Sequence, residues 1–215
     1  EEYYDSDPKA ADRTYARRGA FLEAVEFDPL AFGIAPRDLE ATDSTQLLAL
    51  VAAQQALADA GIEVVDERRD SVTAGDRRRI RRDRVAVILG VTGPQELVIP
   101  LGARLAYPQW RRGMQAAGIA PEQIEEAVRR IGEQFVSWQE NSFPGLLGNV
   151  VAGRIANRLN LGGTNCVVDA ACASALAAVE MAALELETGR ADVVITGGCD
   201  TFSDIFMYMC FSKTP

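Results

Sequence analysis

The sequence predicts an α/β protein with a mainly parallel sheet, and three observations carry that prediction. Continuous apolar runs at Val85-Ala86-Val87-Ile88-Leu89-Gly90-Val91, at Asn165 to Val168 and at Asp192-Val193-Val194-Ile195-Thr196 have the character of strands buried on both faces. Segments with helical spacing of apolar residues lie between and before them. Glycines at Gly61, Gly162-Gly163, Gly189 and Gly197-Gly198 punctuate the series. Strands that alternate with helices in this way put the helices on the faces of a parallel sheet.

Residues 1–40 carry Pro, Asp and Arg with scattered aromatics at Tyr15, Phe21, Phe27 and Phe32. They read as an irregular arm packed by those rings on a body formed by residues 41–215. Asp43-Ser44 offers an N-cap, and a helix follows from about Thr45 to Ala60, with Leu47, Leu50, Val51 and Leu57 on its apolar face. Residues 63–84 form a polar connector with Arg77, Arg78, Arg79, Arg81, Arg82 and Arg84. A solvated loop is the plain reading of that run; a landing site for an acidic carrier protein is the sharper one. Arg84 leads into the first long apolar strand, which Gly93-Pro94 breaks. Further helices are expected over Pro121 to Ser137 and Val150 to Leu159. The run from Ser174 to Glu187 is apolar nearly all round, which predicts a helix buried between two layers. The last segment, Phe202 to Pro215, is aromatic and lacks a closing element, so the native polypeptide is expected to continue.

Composition excludes several classes. The chain has 215 residues, 48% of them hydrophobic and 25% charged, with a net charge of -9, which argues against a nucleic-acid partner. No apolar stretch approaches a membrane span, and the acidic start Glu1-Glu2-Tyr3-Tyr4-Asp5 lacks the layout of a signal peptide. The four cysteines, Cys166, Cys172, Cys199 and Cys210, have no metal-like spacing, and the chain contains no histidine. No metal is expected, and the free thiols fit a reducing cytoplasm.

Candidate chemistry centres on Val168-Asp169-Ala170-Ala171-Cys172-Ala173-Ser174-Ala175-Leu176. One cysteine stands between an apolar strand and an apolar helix, with small residues on both sides. Unpaired N–H groups and the macrodipole at a helix start favour negative charge there, which suits a thiolate nucleophile that carries acyl groups. The Cys172 N–H is the simplest oxyanion donor. Asp169 is too near in sequence to be taken as a base, and a helix-capping role is favoured for it. A packed structural cysteine is the competing reading of these residues taken alone.

The run Asp169 to Leu176 resembles the active-site block of β-ketoacyl synthases, condensing enzymes of the thiolase fold. Gly189-Arg190-Ala191-Asp192-Val193-Val194-Ile195-Thr196-Gly197-Gly198-Cys199-Asp200 is similar to the block that follows it. Ala152-Gly153-Arg154-Ile155-Ala156-Asn157 and Phe32 to Asp43 resemble two earlier blocks, all in the family's order. Asp12 to Phe21 and Glu40 to Asp43 look most like ketosynthases of polyunsaturated-fatty-acid synthases, with enediyne-type synthases close behind. The resemblance implies the N-terminal half of a layered α-β-α-β-α fold. It also implies that Cys172 takes an acyl group from the phosphopantetheine arm of an acyl carrier protein, with no directly bound cofactor, and that the acyl-cysteine then condenses with a malonyl thioester. Two histidines and a lysine assist in the family's C-terminal half, so residues 1–215 alone are expected to be inactive in condensation. Phe211 falls at the family's acyl-pocket phenylalanine, with core packing as the equal alternative. The family dimerises through the strand matched by Asn165 to Val168, which implies a homodimer. A non-condensing thiolase-fold acyltransferase and a non-catalytic dimer partner are the other functions considered; the presence of Cys172 argues against the latter.

Overall fold

In the computed structural model, which describes residues 2–66, 78–93 and 95–214, the elements run in the order α1 (Ser44–Asp59), β1 (Glu63–Val65), β2 (Arg79–Arg81), β3 (Val85–Gly90), α2 (Val98–Arg104), α3 (Tyr107–Ala116), α4 (Pro121–Gly132), α5 (Ser142–Gly145), α6 (Asn149–Arg158), β4 (Asn165–Val168), α7 (Ser174–Glu187), β5 (Val193–Gly198) and α8 (Ile205–Lys213). Glu1, Arg77, Pro94 and Pro215, and with them the middle of the polar connector (67–77), lie outside the described residues.

The centre of the fold is a parallel three-stranded sheet in the order β4-β3-β5, with Val87 opposite Asn165 on one side and Val85 opposite Val193 on the other. Every residue of β3 is buried because the strand is central and both its faces are covered. Val85, Val87 and Leu89 point to one side and join Leu50 of α1 with Val151 and Ile155 of α6 in the main apolar cluster. The alternate residues face α7, which packs against β3 and β5. At Gly90 that approach is so close that a Cβ would strike the backbone of Ser174 and Ala175. The described chain therefore forms three layers, α1 and α6, then the sheet, then α7.

The N-cap expected at Asp43 is present: its carboxylate accepts from the Thr45 N–H at 2.9 Å, and its second oxygen accepts from the Leu97 N–H at 2.9 Å. Other expectations need correction. The helix expected to reach Ser137 stops at Gly132, because the Arg104 guanidinium crosses its end and donates to the carbonyls of Gly132 and Phe135. The connector is not wholly irregular: β1 and β2 pair in parallel, and Arg79, Arg81 and Arg84 form ion pairs with Glu63, Asp83 and Asp192. That pairing neutralises three of the arginines considered for carrier docking. In the arm, Phe27 and Phe32 do stack, with centroids 5.3 Å apart, against the main cluster. Phe21, expected as an anchor, is 72% exposed instead. The expected burial of α7 between two layers is not seen either. Ala178 and Ala182 meet the sheet, but Leu176 on the opposite face is 77% exposed, since only one layer packs on this helix among the described residues. The terminal aromatic segment is itself a helix, α8, capped by Asp204, which accepts from the Phe206 N–H at 2.8 Å.

Candidate active site

The strand β4 ends at Val168 and α7 begins at Ser174, so Cys172 lies in the tight turn between them. Ala171 within that turn has φ of 50°, a left-handed conformation that costs a residue with a Cβ about 1–2 kcal/mol. A hydrogen-bond network holds it there. Asp169 accepts from the Ala171 N–H at 3.1 Å and, through its other oxygen, from the Gly93 N–H at 3.2 Å. The Ser174 hydroxyl accepts from the Ala170 N–H at 2.8 Å and donates to the Ala171 carbonyl at 2.6 Å. Thr92, just past the end of β3, sets its hydroxyl 2.7 Å from Ser174 Oγ and 3.1 Å from Asp169 Oδ1. These bonds, from the Ala171 N–H first, then Gly93 and Thr92, hold the Asp169 carboxyl below its ordinary range. Asp169 does not cap α7, as the sequence suggested: no side chain caps that helix, and the carboxylate braces the turn that precedes it.

Cys172 is exposed and opens on a cleft of about 790 Å³. Ala175 of α7, Phe202, and Met207 and Phe211 of α8 give the cleft a largely apolar wall, and Tyr15 from the arm completes it. The two residues singled out from the sequence, Cys172 and Phe211, therefore line one space. Phe211 is 65% exposed, so it is a wall residue and not a packed core ring. Cys199 lines the same cleft, but burial, with help from Asp200 and Asp43, pushes its thiol up to about 11, and its Sγ points to the Thr45 carbonyl at 3.6 Å. Burial also raises the Cys166 thiol. Among the described residues no group of His, Cys, Asp and Glu is arranged to hold a metal ion, and no helix is long and apolar enough to cross a membrane. Sequence reasoning did not place Thr92, Met207 or Tyr15 at the cleft, because each comes to it from a distant segment through the fold alone. Ser174, two residues past the cysteine at a helix start, was open to recognition as a brace.

The site is thus a cysteine on a left-handed strand-to-helix turn that faces a largely apolar cleft on an α/β scaffold. The family model described as the beta-ketoacyl synthase, N-terminal domain, matches residues 1–215. A polyunsaturated fatty acid synthase polypeptide of Thraustochytrium sp. is 38% identical over 213 residues, covering 99% of this chain and 7% of that protein. The pikromycin polyketide synthase component PikAII of Streptomyces venezuelae is 29% identical over 214 residues, covering 99% of this chain and 4% of that protein. Among solved structures, the oxazolomycin ketosynthase domain OzmH KS7 of Streptomyces albus superposes with a TM-score of 0.65 at 22% identity, covering 99% of this chain and 29% of that one. The module 6 ketosynthase of the bacillaene synthase of Bacillus subtilis gives 0.61 at 22% identity, covering 98% and 27%. The chain belongs to the β-ketoacyl synthase family and has the fold of the N-terminal portion of thiolase-like ketosynthase domains. It spans well under a tenth of the two curated relatives named here.

Proposed function

We propose that this chain supplies the acyl-accepting half of a 3-oxoacyl-[acyl-carrier-protein] synthase in a polyketide or polyunsaturated-fatty-acid synthase. The observation that carries the reading is the braced left-handed turn, which presents Cys172 to a largely apolar cleft beside the start of α7. In the proposed reaction the Cys172 thiolate attacks the carbonyl carbon of an acyl-phosphopantetheine thioester. Backbone N–H groups of the turn, most simply that of Cys172, receive the developing oxyanion. The tetrahedral intermediate collapses, the carbon–sulfur bond to the carrier breaks, and the released thiolate takes up a proton. The acyl chain then lies along Phe202, Met207 and Phe211. Decarboxylation of the malonyl thioester, and attack of its carbanion on the acyl-cysteine, is assisted in the family by two histidines and a lysine, and residues 1–215 contain no histidine. We therefore expect residues 1–215 alone to give no condensation.

Partners follow from the same reading. An acyl carrier protein delivers the chain. A second copy docks along β4, which has a strand neighbour on one side only among the described residues. A reducing, cytoplasmic setting suits an obligatory free thiol. The experiment is incubation of the full-length protein with acyl-carrier protein, followed by peptide mass mapping, with iodoacetamide or cerulenin as competitor. An acyl mass on the Cys172 peptide, lost on preincubation with either reagent, is the expected result. An acyl-free Cys172 under conditions that consume the donor defeats the reading.

A further inference from the structure

We infer that the Tyr15 ring is a partition that sets how long an acyl chain Cys172 accepts; this deepens the function proposed above and rests on it. Tyr15 lines the Cys172 cleft on one side. On the other it lines a separate cleft of about 670 Å³, formed with Tyr4, Pro8 and Lys213. The one other residue common to both is Ser212, whose hydroxyl is tied to Thr14, the neighbour of Tyr15. Tyr15 and Ser212 thus stand between the two spaces, each lining both.

The backbone on either side of Tyr15 is held by hydrogen bonds, which set where its ring stands. Thr14 is only 3% exposed; its hydroxyl lies 2.6 Å from Ser212 Oγ and accepts from the Ala16 N–H at 3.1 Å. Burying that pair is favourable only because its members satisfy one another. Further along, the Tyr208 hydroxyl donates to the Arg18 carbonyl at 3.1 Å. Upstream, the Lys213 ammonium donates to the carbonyls of Pro8 and Ala10 at 3.0 and 2.7 Å. Gly19 permits this seating, since a Cβ there would run into the Tyr208 hydroxyl. Three residues of α8, the helix that carries Met207 and Phe211, are therefore strapped to the arm. Tyr15 itself is 49% exposed, and among the described residues its hydroxyl has no hydrogen-bond partner. A bulky ring carried on a backbone held on both sides is suited to a steric stop. Shorter acyl chains end against the ring, and longer ones need the second cleft.

The test measures acylation of Cys172 in the full-length protein by a series of saturated acyl-carrier thioesters, with mass mapping, for wild type, Tyr15→Ala and Tyr15→Phe. Tyr15→Ala is expected to extend the accepted range, raising the acylation rate about fourfold for each methylene beyond the wild-type limit that gains burial. Tyr15→Phe keeps the ring and is expected to keep the wild-type profile. An unchanged profile in Tyr15→Ala, with Cys172 still acylated, overturns the partition and leaves the proposed function standing. A Tyr15→Phe profile displaced as far as that of Tyr15→Ala overturns it too, because the hydroxyl and not the ring would then be at work. No acylation of wild-type Cys172 at any length removes both.

Discussion

Cysteine reactivity depends on ionisation and access together, and in this chain Cys172 and Cys210 are exposed whereas Cys166 and Cys199 are partly buried, with their thiols raised by that burial. Cys199 stands in the same cleft as Cys172, yet a thiol pushed up to about 11 is ionised in roughly one copy in ten thousand at neutral pH. Iodoacetamide at neutral pH should therefore label Cys172 and Cys210, both exposed, and spare Cys166 and Cys199. Peptide mapping checks this, and equal labelling of Cys199 and Cys172 would contradict it. Cys172→Ala should leave stability within about 0.5 kcal/mol, because the sulfur is exposed and its removal opens no cavity. A lowered urea midpoint in that variant would give the sulfur a packing role instead. Asp169 brings pH into the turn. Its folded pKa is lowered, so its stabilising contribution is complete above its unfolded value and is lost as pH falls through the folded one. The stability gap between wild type and Asp169→Asn should thus be steady near neutrality, begin to close as pH falls towards the ordinary aspartate value of 3.8, and go on closing below it. A gap that instead widens on acidification would show that the braces of the turn lie elsewhere.

Among the elements, α1 and the α5–α6 segment share, besides their apolar contact, a set of buried hydrogen bonds made by one side chain. Gln46 is fully buried; its amide donates to the carbonyls of Pro144 and Gly145 at 2.9 and 3.0 Å, and its oxygen accepts from Arg154 Nε at 2.8 Å. Gln46→Leu keeps the bulk but leaves those carbonyls and a half-buried guanidinium short of partners. Urea unfolding should register a loss of about 2–4 kcal/mol, and a loss below about 1 kcal/mol would mean that water replaces the amide. The same elements show what the sequence makes legible. The strands β3, β4 and β5 and the helices α1 and α7 were readable within a residue or two, because continuous apolar runs and terminal caps or glycines are local signals. The helix α3 was not: Pro108, Gly113 and two arginines mask it, and it is held by Arg111 on Glu125 of α4 and by Trp110 on Phe135. Nor was the pairing of β1 with β2, since three-residue strands carry no period and meet only through the fold. The helix α8 was not read either: its cap at Asp204 was not singled out, and an apolar run without polar relief gives no helical face to recognise. Of the site, Cys172 was legible from its neighbours and the braces Asp169 and Ser174 stand beside it in sequence, whereas Thr92 and Tyr15 come from distant segments that only tertiary structure brings near.

For the molecule as a whole, the outward face of α7 is an exposed apolar surface. Leu176, Val179, Leu184 and Leu186 are all exposed along one helix. Contiguous apolar surface of this kind drives association in water. Residues 1–215 in isolation should accordingly self-associate with rising concentration, and Leu176→Glu combined with Leu184→Lys should suppress this without lowering the thermal midpoint. Light scattering and a melting curve decide it; unchanged scattering in the double variant would place the sticky surface elsewhere. The sheet order has a further consequence, in time and not in space. The first strand of the sheet to leave a ribosome, β3, is also the central one, and Val85 must wait for Val193 before its outer edge is paired. Because both of its neighbours are translated later, a nascent chain halted before β4 holds its most water-averse strand with neither edge satisfied. Such an intermediate is a natural client for a chaperone at the exit tunnel, and slowing translation between β3 and β5 should lower the soluble yield.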